Sequence, residues 1–194
     1  MRVKYLLLWL LLALQVVAGA QEAATPGAAL APRVRVVTSA GNFVIELDKA
    51  RSPLTVEAFL KYVDQGFYSG VIFHRVVAGF IAQAGGFTAD MKQKEVTSNI
   101  FNESGNGLSN LRGTVGLARS NEPHSGTSQF YVNLADNIDL NPRPTRWGYT
   151  VFGKVVEGME VVDDIGHRPT AGGGPFDRNV PVDPIIIERI EPLE

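Results

Sequence analysis

The chain has 194 residues, a formal net charge of −2 at neutral pH, three histidines and no cysteine. The lack of cysteine excludes a disulfide-stabilised scaffold, and so few histidines make a structural zinc site unexpected. The mildly acidic charge balance argues against nucleic acid as a partner. We therefore expect no metal and no nucleic acid, and a fold that is stabilised by packing alone.

The first twenty residues, MRVKYLLLWLLLALQVVAGA, have the order of a secretory signal peptide. Two basic residues precede an almost wholly apolar run from Tyr5 to Val17, and Ala18 to Ala20 are the small residues of a cleavage site. The apolar run is too short for a lasting membrane span, although an uncleaved anchor is the alternative. We predict a signal peptide over residues 1–20, no stable membrane insertion, and a periplasmic or secreted protein.

Removal of the predicted signal peptide would leave 174 of the 194 residues, which suits one domain with a substantial core. Residues 21–32 are rich in alanine with proline and threonine, a composition typical of a flexible segment. We predict a flexible N-terminal segment over 21–32 and a single domain over 33–194.

The domain begins with a predicted hairpin and a predicted helix. Val34 to Thr38 and Phe43 to Leu47 flank a turn sequence, and in the second strand Phe43, Ile45 and Leu47 alternate with Val44 and Glu46. In the helix that follows, Ser52 is the expected N-cap, Pro53 suits the first position, and Gly66 ends it.

Six more strands and one more helix are predicted along the rest of the chain. The strands cover Val71 to Val77, Phe80 to Gln83, Gly113 to Ala118, Gln129 to Leu134, Thr150 to Val155 and Ile185 to Ile190, and the helix covers Met159 to Ile165. The polar stretch between Phe87 and Gly113 is predicted to be loop. Many short strands with two helices predict a mainly β fold, a closed antiparallel barrel with helices over its ends, which leaves no exposed sheet edge.

The stretch VIFHRVVAGFIAQAGGF, from Val71 to Phe87, places a permanently charged arginine among apolar residues. Strict alternation along a strand puts Arg75 on one face with Phe73 and Val77, and His74 on the other face. An arginine that shares an outward face with aromatic residues indicates a solvent-filled groove with an apolar lining.

Three segments resemble the cyclophilins, the cyclosporin-binding type of peptidyl-prolyl cis-trans isomerase. These segments are FHRVVAGFIAQAGGF, SGTSQFYVNLAD and GYTVFGKVVEGMEVVDDI, in the family's order. The resemblance extends over Arg33 to Leu193, and the loop before the fifth strand is most similar to that of bacterial exported cyclophilins. It implies an eight-stranded antiparallel β-barrel capped by two α-helices, and an isomerase that needs no cofactor.

The resemblance also implies a role for individual residues. Arg75 matches the family's catalytic arginine, and Gln83 matches the glutamine that orients it. The substrate-binding positions that it implies are Phe80, Ile81, Ala118, Arg119, Gln129, Tyr131, Leu140 and Tyr149.

Several of these positions depart from the family's usual residue. Arg119 stands where the family has a backbone-binding asparagine, Tyr131 replaces a phenylalanine, and Tyr149 stands where many members have histidine. Asp139 lies where cyclosporin-sensitive members have tryptophan. A short carboxylate is costly to bury under an apolar ligand, so we expect weak cyclosporin binding.

The expected partners are proline-containing peptides and unfolded exported proteins, and we expect the protein to be a monomer. Two other classes are considered. The first is a proline-peptide binding module or holdase without activity, which the presence of both Arg75 and Gln83 disfavours. The second is a small-ligand barrel of the lipocalin kind, which needs a hollow interior. For His74, a general base is the alternative to a structural role.

Overall fold

The computed structural model describes residues 31–193. Its ten strands are β1 (Arg33–Thr38), β2 (Gly41–Leu47), β3 (Val71–Val77), β4 (Ile81–Thr88), β5 (Thr114–Leu117), β6 (Phe130–Asn133), β7 (Val151–Glu157), β8 (Thr170–Gly173), β9 (Phe176–Pro181) and β10 (Ile186–Leu193). Two α-helices, α1 (Pro53–Asp64) and α2 (Met159–His167), and a short 3-10 helix, Ile138–Leu140, complete it.

Eight of the strands close into an antiparallel barrel in the order β1-β10-β3-β4-β6-β5-β7-β2, and β8 pairs with β9 in a separate hairpin. The predicted mainly β fold, a closed eight-stranded barrel with two α-helices, is confirmed. The predicted first hairpin, the strand over Val71–Val77 and both helices are also confirmed.

Large side chains fill the interior of the barrel. Phe43, Phe73, Phe130 and Phe152 are almost completely buried in one continuous core. The ring of Phe59, from α1, lies 5.7 Å from that of Phe130 and 5.3 Å from that of Phe152. A filled interior contradicts the small-ligand barrel hypothesis, because no hollow remains among these side chains.

The N-terminus of α1 differs from the prediction. Pro53 occupies the first turn as expected, but the side chain of Ser52 makes no capping hydrogen bond and donates to the Val151 carbonyl at 2.8 Å. The carboxylate of Glu103 accepts hydrogen bonds from the backbone N–H groups of Leu54 and Thr55, at 3.1 and 2.9 Å. A distant loop residue therefore satisfies the helix N–H groups that the local sequence assigned to Ser52.

Strict alternation along β3 is also wrong, because the strand contains a bulge. Phe73 pairs with Ala84 and Arg75 pairs with Gln83, which are adjacent in β4. His74 is therefore an extra residue in β3 with no partner in β4. The bulge turns Phe73 into the core and Arg75 towards the outside, whereas alternation had placed both on one face.

Strand β4 runs beyond its predicted end at Gln83 because two glycines let the segment before β6 approach it closely. A Cβ atom at Gly85 would lie 2.7 Å from the Ser128 carbonyl oxygen, and one at Gly86 would lie 2.5 Å from Nε2 of Gln129. A larger residue at position 85 would force the strand and the segment before β6 apart, and one at position 86 would displace the Gln129 side chain.

The hairpin of β8 and β9 is absent from the sequence prediction. Gly172 and Gly173 lie within β8, Gly173 pairs with Phe176, and Gly174, with a φ of +53°, begins the turn. The hairpin packs against the outside of β3, where the Phe176 ring lies 5.5 Å from the His74 ring. It thus buries a face of β3 that would otherwise meet solvent.

The predicted signal peptide and nearly all of the predicted flexible segment lie outside the described residues. Within residues 31–193, none of the helices has the length and apolar character that a membrane crossing requires.

Candidate active site

Arg75 and Gln83 face each other on the outer side of the barrel, across the pair of strands β3 and β4. Nη1 of Arg75 donates to Oε1 of Gln83 at 3.1 Å, and Nε2 of Gln83 donates to Oε1 of Gln129 at 2.9 Å. Because Gln129 is itself packed over Gly86, this row of amides fixes the direction of the guanidinium.

The Arg75 guanidinium is half-buried and has no carboxylate partner among residues 31–193. Burial lowers the pKa of Arg75, with the Tyr149 hydroxyl acting in the opposite direction and the Arg178 guanidinium in the same one. Arginine starts from so high a pKa that the group stays cationic at neutral pH. The site therefore presents a fixed, uncompensated positive charge with N–H donors still free for a ligand.

Two apolar side chains lie beside this charge on β4 and β6, because Tyr131 pairs with Gln83 and Ile81 lies two residues before Gln83. Ile81 and Tyr131 are both nearly buried, on the outer faces of strands whose neighbouring residues enter the core. The Tyr131 ring lies across Gly116 of β5, where a Cβ atom would come within 2.2 Å of Cζ. Glycine at position 116 is thus a condition for the position of this ring.

The Tyr131 hydroxyl donates a hydrogen bond to Oδ1 of Asn110 at 2.7 Å. Burial raises the pKa of Tyr131 well above that of a free phenol, so the hydroxyl stays protonated and keeps its role as donor.

Phe80, Leu140 and Tyr149, the other large apolar positions that the family resemblance implies, lie outside the strands. The Phe80 carbonyl, just before β4, accepts hydrogen bonds from the Leu134 backbone N–H at 2.9 Å and from the Asn137 side chain at 2.8 Å. The Tyr149 backbone N–H donates to the Leu140 carbonyl at 2.9 Å, and the Tyr149 ring lies 6.2 Å from the Tyr131 ring, edge to face.

Arg119 does not present a free side chain in the place of the family's asparagine. Its guanidinium lies 4.4 Å from the centre of the Tyr149 ring and donates to the carbonyls of Trp147 and Gly148 at 2.8 and 3.1 Å. The side chain thereby orders the segment that carries Tyr149. The adjacent Ala118 pairs through its backbone N–H with the Gln129 carbonyl at 2.9 Å.

Sequence reasoning missed Asn110, which lies in the stretch predicted to be loop and is fully buried. Its backbone and side-chain N–H groups donate to Oδ1 of Asn141, at 2.8 and 3.1 Å, and its carbonyl accepts from the backbone N–H of Asn137 at 2.7 Å. Asn110 thus joins Tyr131 to the 3-10 helix that carries Leu140. The sequence offers no signal for this role beyond a polar residue in a polar loop.

His74, the neighbour of Arg75, faces away from the groove and is buried between the rings of Phe87 and Phe176, at 4.8 and 5.5 Å. Burial lowers its pKa to about 4, which keeps the imidazole neutral. This position favours a structural role over that of a general base. Residues 31–193 contain no cluster of three or more histidine and acidic side chains able to hold a metal ion.

A fixed cation beside nearly buried apolar side chains suits a reaction in which charge develops without bond cleavage. Comparison with known proteins agrees. The family model described as "Cyclophilin type peptidyl-prolyl cis-trans isomerase/CLD" matches residues 33–191. Peptidyl-prolyl cis-trans isomerase A of Dickeya dadantii is 51% identical over 155 residues, which are 80% of this chain and 81% of the relative. Peptidyl-prolyl cis-trans isomerase B of Escherichia coli is 46% identical over 79% of this chain and 94% of its own.

A solved cyclophilin of Cryptosporidium parvum superposes with a TM-score of 0.69 at 25% identity, and covers 84% of this chain and 98% of its own. A second structure of that protein, determined in the presence of the dipeptide Ala-Pro, has a TM-score of 0.68. The chain belongs to the cyclophilin family of peptidyl-prolyl cis-trans isomerases, as its three motifs predicted. It is therefore an isomerase that acts on proline-containing peptides.

Proposed function

We propose that Arg75 is the catalytic group, that Gln83 orients it, and that Phe80, Ile81, Tyr131 and Leu140 bind the proline ring. The observation that carries this assignment is the half-buried, uncompensated guanidinium of Arg75, held by Gln83 beside the nearly buried Ile81 and Tyr131.

The chemistry requires a group that favours the twisted amide over both planar forms. Rotation about the X-Pro bond has a barrier of about 18–20 kcal/mol, because the nitrogen shares its lone pair with the carbonyl. At the twist the prolyl nitrogen becomes pyramidal and recovers a basic lone pair. A guanidinium N–H aimed at that nitrogen gains a hydrogen bond only there, so it lowers the barrier without stabilising the planar substrate. No bond breaks, so this route needs no nucleophile and no cofactor.

The remaining residues hold the peptide on either side of the rotating bond. The apolar pocket keeps the proline ring still, and the exclusion of water strengthens the effect of the Arg75 charge. Gln83, Gln129 and the backbone near Ala118 and Arg119 offer hydrogen-bonding groups to the flanking peptide. Tyr149, packed against Arg119, closes the groove beside Tyr131. The presence of Ala-Pro in a structure of the related Cryptosporidium protein agrees with a site for proline-containing peptides.

Titration of the protein with an X-Pro peptide, followed by amide chemical shifts in NMR, tests the assignment. We expect the shifts to concentrate at Arg75, Gln83 and Tyr131, and to be negligible at Arg33 and Glu46, which form an ion pair on the far strands β1 and β2. The matched control is the same peptide with alanine in place of proline, which should bind much more weakly. Shifts that are spread over β1 and β2, or equal for both peptides, would contradict the assignment.

We further propose that the protein acts on exported proteins as they fold outside the cytoplasm. The basic, apolar and small-residue order of residues 1–20 supports this. N-terminal sequencing of the exported protein should find Gln21 first, and a start at Met1 with retention in the membrane would contradict the proposed location.

A further inference from the structure

An exposed group of aromatic side chains lies beyond the proposed proline pocket. Phe101, 68% exposed, lies 5.4 Å from His124 between ring centres, and His124 lies 5.2 Å from Trp147, which is 47% exposed. We call these three residues the aromatic patch. Large apolar side chains that are clustered at the surface are typical of binding sites, whereas scattered ones are ordinary.

The patch is held in place by hydrogen bonds among the three segments that form it. The Asn102 backbone N–H donates to Nδ1 of His124 at 3.1 Å, and the Asn102 side-chain amide donates to the carbonyls of Pro123 and Gly148 at 3.1 and 3.0 Å. Arg119 holds the Trp147 carbonyl at 2.8 Å. A surface whose backbone is already fixed loses little conformational entropy when a ligand binds.

The patch is continuous with the proline pocket. From the Tyr131 ring, which is 2% exposed, the row runs through Tyr149 at 6.2 Å to the Arg119 guanidinium, 4.4 Å from the Tyr149 ring. Arg119 then binds the backbone of Trp147, whose side chain begins the patch.

Trp147 also lines an open pocket of about 440 Å³ together with Pro142 and Pro144. The exposed indole is thus not part of a flat surface and has a concave region beside it. Pockets of this size are large enough for an amino-acid side chain.

We propose that the aromatic patch binds a large aromatic side chain of the substrate peptide, about three to five residues from the proline at the spacing of an extended chain. This inference rests on the proposed function, since the proline pocket fixes the position of the proline from which the residues are counted. Edge-to-face and stacking contacts with the rings of Trp147 and Phe101 would stabilise the bound side chain. We therefore predict a preference for tryptophan or phenylalanine over alanine at that position.

The test compares two series of X-Pro peptides, with tryptophan or alanine moved through positions one to six on each side of the proline. The kcat/KM is measured by exchange NMR with the unaltered protein, Phe101→Ser, Trp147→Ala and the control Val182→Ser. Val182 is another exposed apolar residue, outside the patch. Titration calorimetry with the Arg75→Ala variant measures the affinity of the same peptides for the patch separately from turnover.

We expect tryptophan at one position to raise kcat/KM about three- to tenfold. Phe101→Ser and Trp147→Ala should remove that gain and leave the alanine peptide unaffected, and Val182→Ser should keep it. Normal turnover without any gain from tryptophan, or a gain that survives both patch variants, would overturn the inference alone. Absence of turnover for every peptide would overturn the proposed function itself. A dimer that Trp147→Ala dissociates would show that a second copy of the chain occupies the patch, and would also overturn the inference.

Discussion

Tyr131 and Asn110 are joined by a hydrogen bond of 2.7 Å from the phenol to the side-chain carbonyl, and both residues are almost completely buried. A phenylalanine, the residue that the family resemblance leads one to expect at position 131, could not make this bond. The proposed proline pocket of this chain is therefore tied to the loop that precedes β5.

Replacement of Tyr131 by phenylalanine should destabilise the protein without removing the pocket. Oδ1 of Asn110 would keep only the Asn133 amide at 3.3 Å, so we expect a loss of about 1–2 kcal/mol in the free energy of unfolding. Turnover should change little because the ring remains. Chemical denaturation provides the measurement. Tyr62→Phe is the control, since the Tyr62 ring is largely buried but its hydroxyl makes no hydrogen bond to another described residue. Equal stability of the two variants would contradict the role of the bond.

Glu103 should matter for the stability of helix α1. Its carboxylate accepts from two backbone N–H groups and from the Thr55 hydroxyl, the last at 2.7 Å. We expect Glu103→Ala to lower the free energy of unfolding by about 1–3 kcal/mol, because charged hydrogen bonds at a helix start are lost. Glu122→Ala is the matched control, as this exposed carboxylate makes no such contact. If Glu103→Ala unfolds at the same denaturant concentration as the control, the capping role is wrong.

His74 should make stability depend on pH between about 6.5 and 4. Burial lowers the pKa of folded His74 to about 4, and the Arg75 charge acts in the same direction. The unfolded chain therefore binds a proton that the folded protein does not, so stability is full above pH 6.5 and is lost as the pH falls towards 4. The largest loss is about 3 kcal/mol.

The variant His74→Phe cannot titrate and should remove this slope, whatever its stability at neutral pH. Denaturation of both proteins at a series of pH values from 4 to 7 makes the comparison. A slope that persists in His74→Phe would assign the dependence to other groups. The variant should also keep most of its turnover, since His74 faces the hairpin of β8 and β9 and not the groove.

Cyclosporin should bind weakly, and Asp139→Trp should tighten it. The Asp139 side chain is 87% exposed and forms an ion pair with Arg143, so an apolar ligand would have to displace a solvated charge. A tryptophan offers a broad apolar face and one N–H donor. Inhibition curves for the two proteins measure the change, while peptide turnover should stay nearly constant. Tight inhibition of the unaltered protein would contradict this prediction.

Local periodicity accounts for the parts of the fold that the sequence predicted. Alternation of Phe43, Ile45 and Leu47 identified β2, and the spacing of Val56, Phe59 and Val63 identified α1, because each pattern reflects a face that packs on the core. The hairpin of β8 and β9 has no such pattern, since glycines replace the side chains that would alternate.

Long-range contacts account for what the sequence missed. Glu103 caps α1 from 48 residues away, and Asn110 reaches Tyr131 from a mostly polar loop. Neither contact leaves a periodic signal. The bulge at His74 reverses the face of Phe73 without any glycine or proline to mark it. The site residues were identified from their resemblance to a family, and their geometry required the folded barrel.

The most direct test of the mechanism is two-dimensional exchange NMR on an X-Pro peptide with Arg75→Ala, with peptide binding titrated separately. If Arg75 stabilises the twisted bond, kcat/KM should fall by about 10²–10³, the range for loss of one preorganised donor. Affinity for the planar peptide should fall much less. Arg75→Lys should recover only part of the loss, since an ammonium cannot reproduce the planar fork that Gln83 holds. Near-normal exchange by a folded Arg75→Ala protein would contradict the mechanism.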